Sequence, residues 1–217
     1  MSALRRSLIA GSAAVALVAA AVAAWVLTPG PERERSASGA AAIGGPFELV
    51  NTDGETVTRA DYAGRYRLIF FGFTYCPDVC PRSLMDLSRA LDRIAESAPA
   101  KAERVVPIFI TIDPQRDTVE VMRNYVENFH PRIVGLTGTK QQVKAAADAY
   151  RVYYEKVSPQ QYYDSDAAAD SSDADYLMAH SSYMLLMGPD GEYITNFKFE
   201  ATPADIAEGL AEHVEPS

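Results

Sequence analysis

Cys76 and Cys80 are the only cysteines in the 217-residue chain, and they fall in the segment FGFTYCPDVCP at residues 71–81. Two thiols separated by three residues can converge on one soft metal ion or close a small disulfide loop. The spacing is C-x-x-x-C, one residue longer than the C-x-x-C of dithiol oxidoreductases. Three histidines are available to extend the set. His130 follows a helical stretch and precedes Pro131, a place that suits a helix C-terminus. His213 lies near the chain end on a stretch open to solvent. His180 follows a polar run and precedes the apolar run Tyr183–Met187, which makes it the best-placed third donor. Two thiolates and an imidazole suit Cu(I), or Cu(II) with a weak fourth ligand, and zinc accepts the same set. Met178 offers a soft sulfur two residues away, although methionine in an apolar stretch more often fills core space. The plainer alternatives are two packing cysteines or a structural disulfide. Two cysteines in five residues, bracketed by Pro77 and Pro81, favour chemistry over packing.

The elements that must position these groups alternate between strand and helix. Residues 67–73 form a continuous apolar run that reads as a buried central strand. Residues 81–98 follow, with Leu84, Leu87, Leu91 and Ile94 at helical spacing. Proline fits a first helical turn, so Cys80 is expected at the N-cap, where free N–H groups and the positive helix end favour thiolate. A second buried strand is expected over 105–112, with Pro107 implying a bulge or an unpaired position. A helix follows over 118–129, with Asp117 as its N-cap and Glu120 completing a capping box. A strand at 133–136, a helix at 140–150 and a strand at 152–157 come next. Tyr183–Met187 and residues 192–197 flank Gly188-Pro189-Asp190-Gly191, a hairpin signal. Thr202 caps the last helix, with Pro203 in its first turn. This order predicts an α/β fold: a thioredoxin-like sandwich with a mixed central sheet.

Ahead of that domain, residues 8–27 are 20 uncharged, mostly apolar residues behind Arg5 and Arg6. At about 1.5 Å per residue they reach about 30 Å, the thickness of a hydrocarbon core. The length favours one N-terminal transmembrane helix over a cleaved signal peptide, and the leading arginines leave the N-terminus in the cytoplasm. The expected organisation is an anchor at 1–28, a flexible Pro/Gly/Ser-rich linker at 29–45 and a folded domain at 46–217. The net charge is −9, and residues 1–35 contribute four arginines against two glutamates, so the remainder carries −11. That sign argues against nucleic acid as a partner and suits either a basic partner patch or simple solubility. Residues 164–175 (DSDAAADSSDAD) concentrate the acid as a solvated loop or docking surface.

Three segments resemble the Sco/SenC family of copper-handling cytochrome oxidase assembly proteins. They are residues 71–81 with CPDVCP, residues 111–118 (TIDPQRDT), and residues 176–181 (YLMAHS) followed by GPDGEY. The resemblance covers residues 46–214, and the anchor agrees with it. It implies that Cys76, Cys80 and His180 are ligands of copper, as Cu(I) or Cu(II). It implies delivery of copper to the dinuclear centre of cytochrome c oxidase subunit II, with another periplasmic copper chaperone as a further partner. The alternative is a thiol-disulfide oxidoreductase, with Cys76 and Cys80 as a redox-active pair that reduces the cysteines of that subunit or serves in redox signalling. A peroxidase fits poorly, because no threonine-x-x-cysteine precedes the pair. The implied location is the inner membrane, single-pass, with the domain in the periplasm, or the intermembrane space if the protein is mitochondrial. Many relatives carry Asp directly before the metal-binding His; here Ala179 stands there, so a backbone carbonyl is expected to orient His180. By resemblance Asp113 is a carboxylate near the metal site; by its Asp-Pro sequence it starts a turn. Arg116 reads as structural.

Overall fold

A computed structural model describes residues 43–163 and 176–216. The anchor expected at 1–28, most of the linker at 29–45 and the acidic run at 164–175 lie outside the described residues. Among the described residues no helix is long and apolar enough to cross a membrane.

Residues Ala42–Ser217 cluster as one compact unit. A short hairpin opens it, β1 (Glu48–Asn51) with β2 (Thr56–Thr58), which the sequence pattern did not announce. Then come β3 (Tyr66–Gly72), α1 (Val79–Ser97), α2 (Pro99–Arg104), β4 (Val105–Thr111), α3 (Val119–Val126), β5 (Val134–Thr137) and α4 (Lys140–Ala149). The chain continues with β6 (Tyr154–Val157), α5 (Pro159–Tyr163), β7 (Leu177–His180), β8 (Tyr183–Met187), β9 (Tyr193–Lys198) and α6 (Pro203–His213). Seven strands form one sheet in the order β2-β1-β5-β4-β3-β8-β9, while β6 and β7 pair separately. β3, β4 and β5 run parallel, and the outer pairings are antiparallel. The mixed sheet expected from the element order is therefore present.

β3 and β4 are buried at every position, as inner parallel strands covered on both faces must be. The Leu84, Leu87, Leu91 and Ile94 stripe of α1 is buried, and the helix also lies against α6. β5 begins opposite Ile108, so Pro107 sits at a position where β4 pairs with β3 alone.

Two expected caps are corrected. α1 starts at Val79 with Asp78 in the cap position, so Cys80 is in the first helical turn rather than at the cap. Every first-turn N–H lacks an intrahelical partner, so Pro81 is tolerated two positions further in than the N1 preference suggests. α3 is capped by Thr118, whose hydroxyl accepts the Val121 N–H. Asp117 instead turns its carboxylate inward.

Candidate metal centre

β3 leaves the sheet at Gly72, and the chain turns through residues 73–78 into α1. This places Cys76 on the turn and Cys80 four residues on, both as free thiols. The Cys80 N–H donates to the Cys76 sulfur at 3.4 Å. The Cys80 thiol also donates to Cys76, and this bond does most to lower the Cys76 pKa, from an ordinary 9.0 to about 6. Burial opposes the shift, while the N–H groups of Cys80, Asp78 and Val79 assist it. The helix start thus acts on Cys76 from one turn away, through its free N–H groups. Cys80 moves the other way: donating to Cys76 and burial together push its thiol well up. The two shifts favour the thiolate on Cys76 and the proton on Cys80. Cys76 is 6% exposed and Cys80 0%.

His180 is the last residue of β7, paired with Tyr154 of β6. Its Nδ1 lies 2.9 Å from the Ser181 carbonyl oxygen. A carbonyl only accepts, so we assign the proton to Nδ1, which leaves Nε2 with a free lone pair. That nitrogen is 3.8 Å from the Cys80 sulfur. Burial lowers the His180 pKa, which keeps the ring neutral and able to ligate. Phe73 meets the ring edge-on at 6.0 Å and Phe70 lies 6.5 Å away, so the imidazole has apolar walls. The carbonyl expected to serve in place of an acid at Ala179 is that of Ser181.

The contacts run from Cys76 to Cys80 to His180. Among the described residues no three of His, Cys, Asp and Glu are already closed around a single point. Met178 is buried in the core. His130 is engaged elsewhere, 3.7 Å from Asp92 and accepting the Arg132 N–H. His213 ends α6.

Sequence reading missed the inward carboxylate of Asp117 and the Tyr176 hydroxyl. Asp117, fully buried, accepts the Thr74 N–H at 3.1 Å, the Thr74 hydroxyl at 2.6 Å and the Thr111 hydroxyl at 2.5 Å. Burial raises its pKa against those bonds. Asp113 makes the turn its Asp-Pro sequence suggested. Its backbone carbonyl accepts the N–H groups of Arg116 and Asp117, which makes the turn. Its carboxylate, 2% exposed, accepts the Tyr176 hydroxyl at 2.7 Å and pairs with Arg116. Arg116 also donates to the Tyr176 carbonyl and lies between the rings of Tyr75 and Tyr176. An open cavity of about 470 Å³ leads to Cys76, lined by Thr74, Tyr75, Pro77, Pro159, Tyr176 and Leu177.

Gly72 is what allows Cys80 to sit against the sheet. A Cβ there would lie 2.8 Å from the Cys80 sulfur and 2.8 Å from Phe109 Cε2. Gly72→Ala is expected to destabilise the domain by about 1–3 kcal/mol through overpacking. An unchanged thermal midpoint would contradict this account of the close approach.

An α/β sandwich with a thiol pair entering its first long helix and a neutral imidazole beside it defines a thioredoxin-like thiol protein. The thioredoxin domain of a Bacteroides vulgatus thiol-disulfide oxidoreductase shares the fold, with a TM-score of 0.52 at 14% identity over 81% of this chain and 97% of that one. Within that class the chain belongs to the SCO1/SenC family, whose model matches residues 35–215. The human protein SCO1 homolog, mitochondrial, is 42% identical over 185 residues, which is 85% of this chain and 57% of the relative. The Arabidopsis thaliana protein SCO1 homolog 1, mitochondrial, is 38% identical over 84% of this chain and 50% of its own length. The chain thus spans about half the length of these curated relatives. The crystal structure of A. thaliana ScoI with copper bound has a TM-score of 0.68 at 38% identity, covering 79% of this chain and 97% of that one. Bradyrhizobium japonicum ScoI with copper bound gives 0.67 at 38% identity, covering 80% and 100%.

Proposed function

We propose that the chain is a copper carrier for cytochrome c oxidase assembly, holding one copper through Cys76, Cys80 and His180 and passing it to the dinuclear centre of subunit II. The observation that carries this reading is the lone pair of His180 Nε2 facing the Cys80 sulfur. Copper is cargo here. Two sulfurs and a neutral imidazole are soft and intermediate donors of the kind that suit Cu(I), and Cu(II) with a weak fourth ligand. Cys76 is already poised as thiolate, so loading releases the single shared proton from Cys80. The structures of relatives with copper bound support the cargo. Residues 8–27 anchor the chain in the inner membrane, with residues 46–217 in the periplasm, where another copper chaperone loads the site.

A second reading draws on the asymmetry of the thiols. The Cys76 thiolate attacks a partner disulfide, forming a mixed disulfide and releasing one partner thiolate. Cys80 then gives up its proton and displaces the second partner sulfur, leaving a Cys76–Cys80 disulfide and a reduced partner. The reduced full chain should be titrated with Cu(I) against a competing chelator. The carrier reading expects one copper retained per chain. Failure to compete, together with metal-free reduction of a disulfide-bonded subunit II peptide, would establish the second reading instead.

A further inference from the structure

We propose that the loop joining β4 to α3, residues 112–118, is the positioning frame of the copper site: Asp117 fixes the turn that carries Cys76, and Asp113 with Arg116 fixes the strand that ends in His180. This rests on the carrier reading above.

The two ligand-bearing segments need such a frame. Cys80 and His180 are 100 residues apart in the chain. Among the described residues β7 pairs only with β6, outside the seven-stranded sheet, so the main ladder does not set the position of His180. Cys76 lies on a turn rather than in a regular element. The loop reaches both. Asp117 binds Thr74, 43 residues upstream and two before Cys76. Asp113 binds Tyr176, 63 residues downstream and four before His180. Arg116 seals the second arm by pairing with Asp113, donating to the Tyr176 carbonyl at 2.9 Å and packing on its ring. A carboxylate that only ended a turn would find its partners within the loop. Both of these are buried, and each accepts from a segment that leads to a ligand, Asp117 from Thr74 besides Thr111 and Asp113 from Tyr176 besides Arg116. The base of the loop is itself fixed, because the Thr137 hydroxyl of β5 donates to the Asp117 carbonyl at 2.6 Å. These are positioning residues: they act through Cys76 and His180 and do not touch the ion.

The test is a pair of double-mutant cycles on the full chain, read as Cu(I) affinity by chelator competition and as the Cu(II)–thiolate absorption band. Tyr176→Phe removes only the hydroxyl that binds Asp113. It is expected to weaken copper about tenfold, the lower end of what lost support around a ligand costs, and to shift the band. In a His180→Ala background the same change should cost less than about twofold, because this arm acts through His180. Thr74→Val, which acts through Cys76, should cost about tenfold in both backgrounds. Asp113→Asn breaks the Arg116 pair while keeping an acceptor for Tyr176, and serves as the second variant of the same arm should Tyr176→Phe fold poorly. An equal loss from Tyr176→Phe with and without His180, or no loss at all, would overturn the frame while leaving the carrier reading intact. An unsubstituted chain that holds no copper would overturn both.

Discussion

Cys80→Ser is expected to abolish copper retention, and His180→Ala to weaken it by at least about a hundredfold. The figure for the histidine starts from the fact that disturbing a group behind a ligand already costs about 10–100-fold, and here the proposed ligand itself is removed. The loss should not be total, because Cys76 and Cys80 contact each other without help from His180. The serine variant removes more. A hydroxyl is a hard, weakly acidic donor that soft Cu(I) disfavours. It also stands at the centre of the contact chain, touching both Cys76 and His180. Chelator competition with Cu(I) separates the three chains. Equal occupancy in the unsubstituted and His180→Ala proteins would remove His180 from the ligand set.

Alkylation at pH 7 is expected to modify Cys76 more than about a hundredfold faster than Cys80. With its pKa lowered to about 6, Cys76 is about nine-tenths thiolate at neutral pH, whereas an ordinary thiol is about one-hundredth thiolate. Cys80 is raised above even that value and has no exposed surface, whereas Cys76 opens to the cavity. The rate at Cys76 should fall as pH drops through about 6 and level off above about 7. Stability follows the same sign. Between pH 6 and 9 the unfolded thiol holds a proton that the folded Cys76 does not, so this group's contribution grows as pH rises through that window and is lost as pH falls through 6. Mass spectrometry of singly labelled protein, taken across pH, reads the site and the midpoint together. Preferential labelling of Cys80, or a midpoint near 9, would show that the shared proton is misassigned.

The strands and helices near the cysteines were legible because their signals are local. The apolar run of β3 and the leucine stripe of α1 each follow from periodicity within one element. Pro81 located the start of α1 to within two residues, but it could not separate the cap from the first turn. His180 was singled out through its neighbours, a polar run before it and an apolar run after it, and the fold brings its ring beside Cys80. Asp117 was not. Its position before a helix matched the capping rule, and Thr118 beside it satisfied the same rule with less burial. Only the tertiary fold decides which of two adjacent acceptors turns outward, because the choice depends on Thr74 arriving from beyond β3 to join Thr111 at the end of β4. Tyr176 was hidden for the same reason: a tyrosine beside an acidic run has no local mark of its bond to Asp113.

The separation between the sulfurs and the imidazole also sets an order of assembly. A chain made from its N-terminus completes the Cys76–Cys80 pair from β3 and α1, adjacent elements joined by one turn. The imidazole enters 100 residues later, on a ribbon that pairs with β6 rather than with the main sheet. Contacts between distant segments form late because loop closure must come first. A growing or partly folded chain therefore presents a dithiol, and only the finished one presents three donors.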